Sequence, residues 1–249
     1  MRTWMKTAII LMSASLIGGC VKMDQTLTIN DDGSASVEMS YGMSEAMVNQ
    51  MEAMKKMSAS MGEEEEKDDS FDFDEQSIRD RFAGLKEDGI TLDSVSTEIK
   101  DGWKYISMKY STKDLAALAK TDLAENSKMS LTKNADGNYV LLQKNSDYNM
   151  GDDSEETSPE MKEMMMKQML PMMKGMQVSF RVKVPGEIIE SNATEVQGNE
   201  VAWVYDVDKD PAFILNADKM EDMKVVFSGK GLSLEEIEIS GSDDESDED

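Results

Sequence analysis

The chain has 249 residues and a formal net charge of −25, with 26 lysines and arginines against 51 aspartates and glutamates. This charge excludes nucleic acid as a partner, because binding to phosphates requires a basic surface. The chain contains no histidine, which excludes Ser-His-Asp and Cys-His catalysis and imidazole metal sites.

Residues 1–19 have the pattern of a signal peptide. Arg2 and Lys6 give a positive start, and an apolar run of roughly a dozen residues follows. A membrane-spanning helix needs about 20 apolar residues, and this run is too short. We predict that residues 1–19 are a lipoprotein signal peptide, removed by cleavage after Gly19. Their removal takes away two positive charges and no acid, so the charge becomes −27.

Cys20 is the only cysteine of the chain. Ile17-Gly18-Gly19-Cys20 resembles the lipobox of bacterial lipoproteins, which implies that Cys20 is the lipid attachment site and the membrane a partner. Two or three acyl chains hold a protein stably at a membrane, whereas one chain binds only marginally. The alternative is an ordinary secretory signal beside a chance cysteine. Because Val21 and not an aspartate follows, the sorting rule of Gram-negative lipoproteins favours the outer membrane.

Alternating apolar residues predict a β-hairpin directly after the lipidated anchor, residues 20–23. A turn at residues 30–33 (Asn-Asp-Asp-Gly) separates two alternating runs. Ser44 can then cap a helix that runs to about Gly62. Its methionines form one apolar stripe at helical spacing: Met43, Met47, Met51, Met54, Met57 and Met61.

A second helix and two further hairpins come next. Ile78, Phe82 and Leu85 have helical spacing, and Gly89 is placed to end that helix. The elements expected after it are strands 90–99 and 103–110 around an Asp101-Gly102 turn, a short helix capped by Ser111 or Thr112, and strands 129–133 and 139–143.

The last third begins with a second methionine-rich helix at Ser158-Pro159, which Pro171 breaks or kinks. Alternating runs predict strands at 178–184, 201–207 and 224–228. We therefore expect an α+β domain over residues 24–232, an antiparallel β-sheet built from hairpins with its helices on one face. Residues 233–249 are predicted to be an acidic disordered tail.

The methionines allow two interpretations. Thioethers suit Cu(I), and Met51, Met54 and Met57 have the Met-x-x-Met spacing of such a site. Core packing explains the same stripe, because methionine is a good helix former with an adaptable side chain. Two methionine-lined helices can also wall an apolar groove for a lipid or a peptide.

The sequence gives little support for a calcium site or a catalytic site. Asp206, Asp208 and Asp210 alternate as the start of an EF-hand loop does, but Pro211 replaces the required glycine and Ala217 stands at the position of the bidentate glutamate. With 51 acids, adjacent carboxylates are expected by chance, and no phosphate-binding or dinucleotide motif is present. We expect no catalytic residues, no cofactor and no enzymatic activity.

Three segments together resemble the LppM-like domain of bacterial lipoproteins. They are residues 27–33 (Leu-Thr-Ile-Asn-Asp-Asp-Gly), 182–186 (Val-Lys-Val-Pro-Gly) and 198–203 (Gly-Asn-Glu-Val-Ala-Trp). The resemblance implies an envelope-anchored α+β domain and, for some members, a lipid or glycolipid ligand. Together these features predict a non-enzymatic lipoprotein of the bacterial envelope that binds an apolar, lipid or protein partner at the membrane surface. A methionine-rich Cu(I)-binding envelope protein is the alternative.

Overall fold

The computed structural model describes residues 21–51, 53, 73–120, 128–144, 164, 167, 170–211, 213 and 221–239. Outside these residues lie the predicted signal peptide, Cys20, most of both methionine-rich helices and the tail from residue 240 onward.

The first hairpin is confirmed. Strands β1 (Val21–Ile29) and β2 (Ala35–Ser44) are antiparallel, with Leu27 opposite Val37 in the core. Ser44 ends β2, and helix α1, described for residues 45–51, follows at once. The Ser44 hydroxyl accepts a hydrogen bond from the Met47 N–H at 3.4 Å, which is the predicted cap.

Helix α2 (Glu75–Leu85) begins at Asp74, whose carboxylate accepts a hydrogen bond from the Gln76 N–H at 3.1 Å. Ile78 and Phe82 form its buried face, as their spacing predicts. Gly89 follows the helix with a positive φ of 86°, a conformation that glycine adopts without steric cost.

Strands β3 (Ile90–Lys100) and β4 (Trp103–Thr112) form the predicted hairpin. Asp101 (φ 52°) and Gly102 (φ 78°) both have the positive φ that a two-residue turn of this kind needs. The following 3-10 helix (Leu115–Lys120) is capped by Asp114, which accepts from the Ala116 N–H at 2.9 Å. Its predicted cap, Ser111 or Thr112, is wrong, because both residues belong to β4.

The remaining elements are β5 (Lys128–Lys133), β6 (Tyr139–Lys144), a 3-10 helix (Leu170–Met173), β7 (Gln177–Lys183), β8 (Ile188–Ser191), β9 (Glu195–Gln197), β10 (Glu200–Asp206), β11 (Met223–Phe227) and β12 (Ile237–Ile239). They agree with the predicted strands and add three short strands, β8, β9 and β12, and a short 3-10 helix.

In the described part of the chain the strands form two sheets, in place of the one predicted. A seven-stranded sheet has the order β3-β4-β2-β1-β7-β10-β9, and a five-stranded sheet has the order β12-β5-β6-β11-β8. The prediction of a purely antiparallel sheet is wrong at one place, since β1 and β7 are parallel. No local turn signals such a pair, because parallel strands need a long crossover connection.

The two sheets pack face to face around one apolar core. Leu27, Val182 and Trp203 of the larger sheet and Leu141 and Val225 of the smaller sheet belong to it. Helix α2 covers the β3–β4 end of the same face, where the Phe82 ring lies 5.0 Å from that of Tyr110. The described residues combine two sheets with helices, which is compatible with the predicted α+β class, although β-structure dominates.

The prediction that the tail begins at residue 233 places its start too early. Leu234 is buried and Ile237–Ile239 is strand β12, paired with β5. The hydroxyl of buried Tyr139 accepts from the Leu234 N–H at 2.8 Å. Three apolar residues among acids, Leu234, Ile237 and Ile239, are enough to bring this short strand into the sheet.

Candidate functional site

One end of the seven-stranded sheet lies next to the predicted lipid attachment site. Strand β1 begins at Val21, and Cys20 is its covalent neighbour, about 3.8 Å away between Cα atoms. In the strand register Val21 of β1 is paired with Met43 of β2. Met43 is also paired with Lys104 of β4, and Lys104 with Ile99 of β3. We call this the anchor end: the start of β1, the end of β2 and the β3–β4 turn.

The outer face of the anchor end, which points away from the five-stranded sheet, carries an aromatic and cationic cluster. The Lys22 ammonium lies 4.2 Å from the centre of the Trp103 ring. The Trp103 and Tyr105 rings are stacked, with centres 6.3 Å apart. A contact between an ammonium and a ring contributes about 0.5–1 kcal/mol at an exposed site.

Gly42 makes room for the Tyr105 ring of this cluster. It lies between Lys22 and Tyr105 in the register of β1, β2 and β4. A Cβ atom at this position would lie 2.5 Å from Tyr105 Cε1, far inside van der Waals contact. The absence of a side chain therefore lets the aromatic ring lie flat across β2.

The inner face of the anchor end repeats the combination of aromatic and cationic groups. The Tyr41 and Phe73 rings lie 5.7 Å apart, and the Lys104 ammonium is 5.2 Å from the Phe73 ring centre. Beside them Ile99 is 65 % exposed, although it is a large apolar residue in a strand. Both faces of this end thus combine apolar surface with lysines.

The cavity between the two sheets is small. It holds about 20 Å³ and is lined mostly by apolar side chains, among them Leu27, Leu141, Trp203 and Val225. That volume is about the space needed for one water molecule. An acyl chain does not fit in this cavity.

Two larger clefts are open and partly polar. One, of about 320 Å³, lies between the β1–β2 turn and the Leu234 segment; the other, of about 400 Å³, lies on the outer face of the larger sheet. In the second cleft the hydroxyl oxygens of Ser40 and Ser107 are 3.1 Å apart. Hydroxyls and charged groups line much of both clefts, so neither is an apolar groove.

Asp206, the last residue of β10, and Asp208, which follows it, both accept hydrogen bonds from backbone N–H groups. Asp206 Oδ1 accepts from the Asp208 N–H at 3.1 Å, and its other oxygen lies 3.0 Å from the Lys209 ammonium. The hydrogen bond and charge of Lys209 lower the pKa of the Asp206 carboxyl. Asp208 in turn accepts from the Gly175 N–H at 3.1 Å. Among the described residues no group of three or more acids, histidines or cysteines is arranged around a possible metal ion.

The residues predicted as candidate sites fall largely outside the described ranges. Cys20, Met54 and Met57 lie outside them, and Met51 is a half-buried residue of α1. None of the described helices is both long and apolar enough to cross a bilayer. The cluster of Lys22, Trp103 and Tyr105 was not predicted from the sequence. The alternation of β4 puts Trp103 and Tyr105 on one face, but only the β1–β2 and β2–β4 pairings together bring Lys22 to them.

Comparisons with known proteins point to one family. The LppM domain family matches residues 22–218, which is most of the chain. The solved NMR structure of the folded domain of Mycobacterium tuberculosis LppM is similar at 14% sequence identity with a TM-score of 0.38, covering 87% of this chain and 95% of that one. No curated protein matches the chain. The match over residues 22–218 includes all three segments on which the resemblance was based. The chain therefore belongs to the LppM domain family.

Proposed function

We propose that this protein is a non-enzymatic lipoprotein, anchored through acylated Cys20, whose domain binds an apolar, lipid or protein partner at the membrane surface. One observation carries the proposal: the LppM domain begins at residue 22, two residues after the only cysteine of the chain. An acylated Cys20 holds that domain directly at the lipid surface.

The start of β1 at Val21 supports a very short tether. An extended chain spans at most about 3.6 Å per residue, so the domain stays within a few ångströms of its anchor. A partner bound by this domain is therefore a molecule of the membrane surface or one held there. The proposal assigns the protein to the outer membrane, because Val21 and not an aspartate follows the cysteine.

The first test is the variant Cys20→Ala, expressed with its signal peptide in a Gram-negative host. Wild-type protein is expected in the membrane fraction and is expected to resist extraction by salt. The variant should lose the acyl chains and leave that fraction. Membrane association that persists in Cys20→Ala would refute anchoring through this residue.

The choice between the outer and the inner membrane is tested by the variant Val21→Asp, which introduces the residue that retains lipoproteins at the inner membrane. Separation of the two membranes by density should find the wild type in the outer fraction and the variant in the inner fraction. If the wild type is found in the inner membrane, the outer-membrane assignment is wrong while the anchoring stands.

The class of partner is tested by native mass spectrometry of the protein purified from the envelope. A lipid adduct in addition to the covalent acyl chains supports a lipid partner. If only the acylated mass is found, chemical cross-linking in intact cells, followed by identification of the linked protein, tests a protein partner. The absence of both products would refute the binding part of the proposal.

A further inference from the structure

We propose that the anchor end of the seven-stranded sheet is a membrane contact surface, which lies in the headgroup layer of the bilayer and fixes the orientation of the domain. This inference rests on the proposed anchoring at Cys20. Its central residue is Trp103, supported by Tyr105 and Lys22 on the outer face and by Ile99 at the β3–β4 turn.

The position of this surface follows from the strand register. Val21, the residue bonded to Cys20, is in one row with Met43, Lys104 and Ile99 across four strands. The next row, at the end of β2, contains Ser44, Trp103 and Lys100. An acyl anchor one residue from the first row therefore holds both rows at the lipid surface.

The chemistry of this end suits the headgroup layer. Tryptophan and tyrosine rings are apolar with one polar group, and such rings are enriched at the boundary between lipid and water. Trp103 and Tyr105 are partly buried and keep some surface in contact with solvent, and Ile99 is 65 % exposed. An exposed isoleucine beside a tryptophan has no role in the core, and contact with lipid removes its surface from water.

Charge distinguishes this end from the rest of the molecule. The protein has a formal net charge of −25, and an anionic bilayer repels its surface in general. At the anchor end, however, Lys104 and Lys100 lie in these two rows and Lys22 in the adjacent row, so that three lysines stand beside the acids Glu45, Glu98 and Asp101. The Lys22 and Lys104 ammonium groups lie over the Trp103 and Phe73 rings, and the long apolar stem of lysine lets such a group turn from the ring to a lipid phosphate.

The tryptophans provide the test. Trp103 and Trp203 are the tryptophans that follow Cys20, and Trp203 is buried between the sheets with 4 % exposure. The acylated protein is purified from the envelope and inserted into vesicles of phosphatidylethanolamine and phosphatidylglycerol. Lipids brominated near the headgroup end of the acyl chain quench tryptophan emission only on contact. Trp103 should be quenched and Trp203 should not.

The control variant is Trp103→Phe, which retains an aromatic ring and leaves the emission of Trp203 to report the fold. Its remaining emission should be insensitive to brominated lipid. A second variant, Trp203→Phe, leaves Trp103 as the reporter, and nearly all of its emission should be quenched. Quenching of wild type and of Trp203→Phe, with none in Trp103→Phe, supports the contact surface.

The quenching experiment distinguishes a failure of the membrane contact surface from a failure of the acyl anchor at Cys20. If the protein floats with the vesicles but Trp103 emission is unchanged by brominated lipid, the contact surface is refuted while the anchor stands. If the protein carries no acyl chain and does not float, the anchoring proposal fails first. Unacylated Cys20→Ala mixed with the same vesicles should show little quenching, because the surface is small and depends on the anchor for proximity.

Discussion

The hydroxyl of Tyr139 donates a hydrogen bond to the Leu234 carbonyl at 3.0 Å and accepts one from the Leu234 N–H at 2.8 Å. One phenol thus satisfies both backbone groups of a buried residue. Tyr139 is 1 % exposed, and its ring is stacked on Phe227 with centres 5.6 Å apart. This contact fixes the segment that leads to β12 onto the five-stranded sheet.

Tyr139→Phe removes the hydroxyl and leaves the Leu234 N–H and C=O without these partners. We expect the free energy of unfolding to fall by about 1–3 kcal/mol, measured by urea denaturation. Tyr105→Phe, at the partly buried anchor end, is the control and should change stability by less than about 0.5 kcal/mol. Hydrogen exchange of residues 233–239 should rise in Tyr139→Phe; equal stability of the two variants would contradict the role of this contact.

Two glycine-to-alanine changes should have opposite effects on stability. At Gly229 a Cβ atom would clash with the backbone carbonyl oxygen of Gly137, so Gly229→Ala should destabilise the protein by about 1–3 kcal/mol. Gly84 is exposed inside helix α2, and a Cβ atom there would meet nothing within 4 Å, so Gly84→Ala should stabilise the protein by about 0.5–1 kcal/mol. Thermal denaturation of both variants tests this pair. If Gly229→Ala is as stable as the wild type, the backbone segments at Gly137 and Gly229 can move apart, and the predicted clash is wrong.

Glu75 gives a pH dependence with a definite sign. Its carboxylate accepts hydrogen bonds from the Thr97 hydroxyl and N–H, both at 2.8 Å, and these bonds, with the charge of Arg79, lower its pKa from the ordinary value of 4.5. A lowered folded-state pKa stabilises the fold above the unfolded value, and this contribution is lost as the pH falls through the folded pKa.

Glu75→Gln should therefore lose stability relative to wild type at neutral pH, and the difference between the two proteins should shrink below pH 4.5. Urea denaturation at a series of pH values measures it. Glu98→Gln, a change in the strand that α2 contacts, serves as the comparison. A difference between wild type and Glu75→Gln that stays constant through the acid range would contradict the role of the Glu75 carboxylate.

Arg181 and Asp24 join the two parallel strands. Their side chains form an ion pair of 2.7 Å between β7 and β1, and both are substantially exposed. A double-mutant cycle with Arg181→Gln and Asp24→Asn should give a coupling of about 0.2–1 kcal/mol, because solvent screens exposed pairs. The coupling should fall in high salt. A larger, salt-independent value would indicate that the pair is less exposed than the structure has it.

Local sequence signals explain most of the fold. The Asp101-Gly102 pair predicts its hairpin because both residues tolerate positive φ, and the spacing of Ile78 and Phe82 predicts the buried face of α2. The parallel pairing of β1 with β7 could not be predicted this way, because it joins residues about 150 positions apart without a turn. Strand β12 was missed because its three residues lie in an acidic stretch.

The candidate site shows the same difference between features set by neighbouring residues and features set by distant strands. The prediction of Cys20 as the attachment site depends on residues 17–20 alone, since the motif is contiguous, and it stays a prediction. The contact between Lys22 and Trp103 depends on the register of three strands and cannot be found from periodicity. Predictions for Met54 and Met57 concern residues outside the described ranges and stay predictions.

Intact-mass analysis of the protein purified from bacterial envelopes tests anchoring through Cys20. We predict a chain that begins at Cys20 and carries the mass of a diacylglyceryl group, with or without a further acyl chain on its amino group. Peptide mapping should locate this added mass on the N-terminal peptide. A chain that retains residues 1–19, or one that begins elsewhere with an unmodified Cys20, would contradict anchoring through this residue.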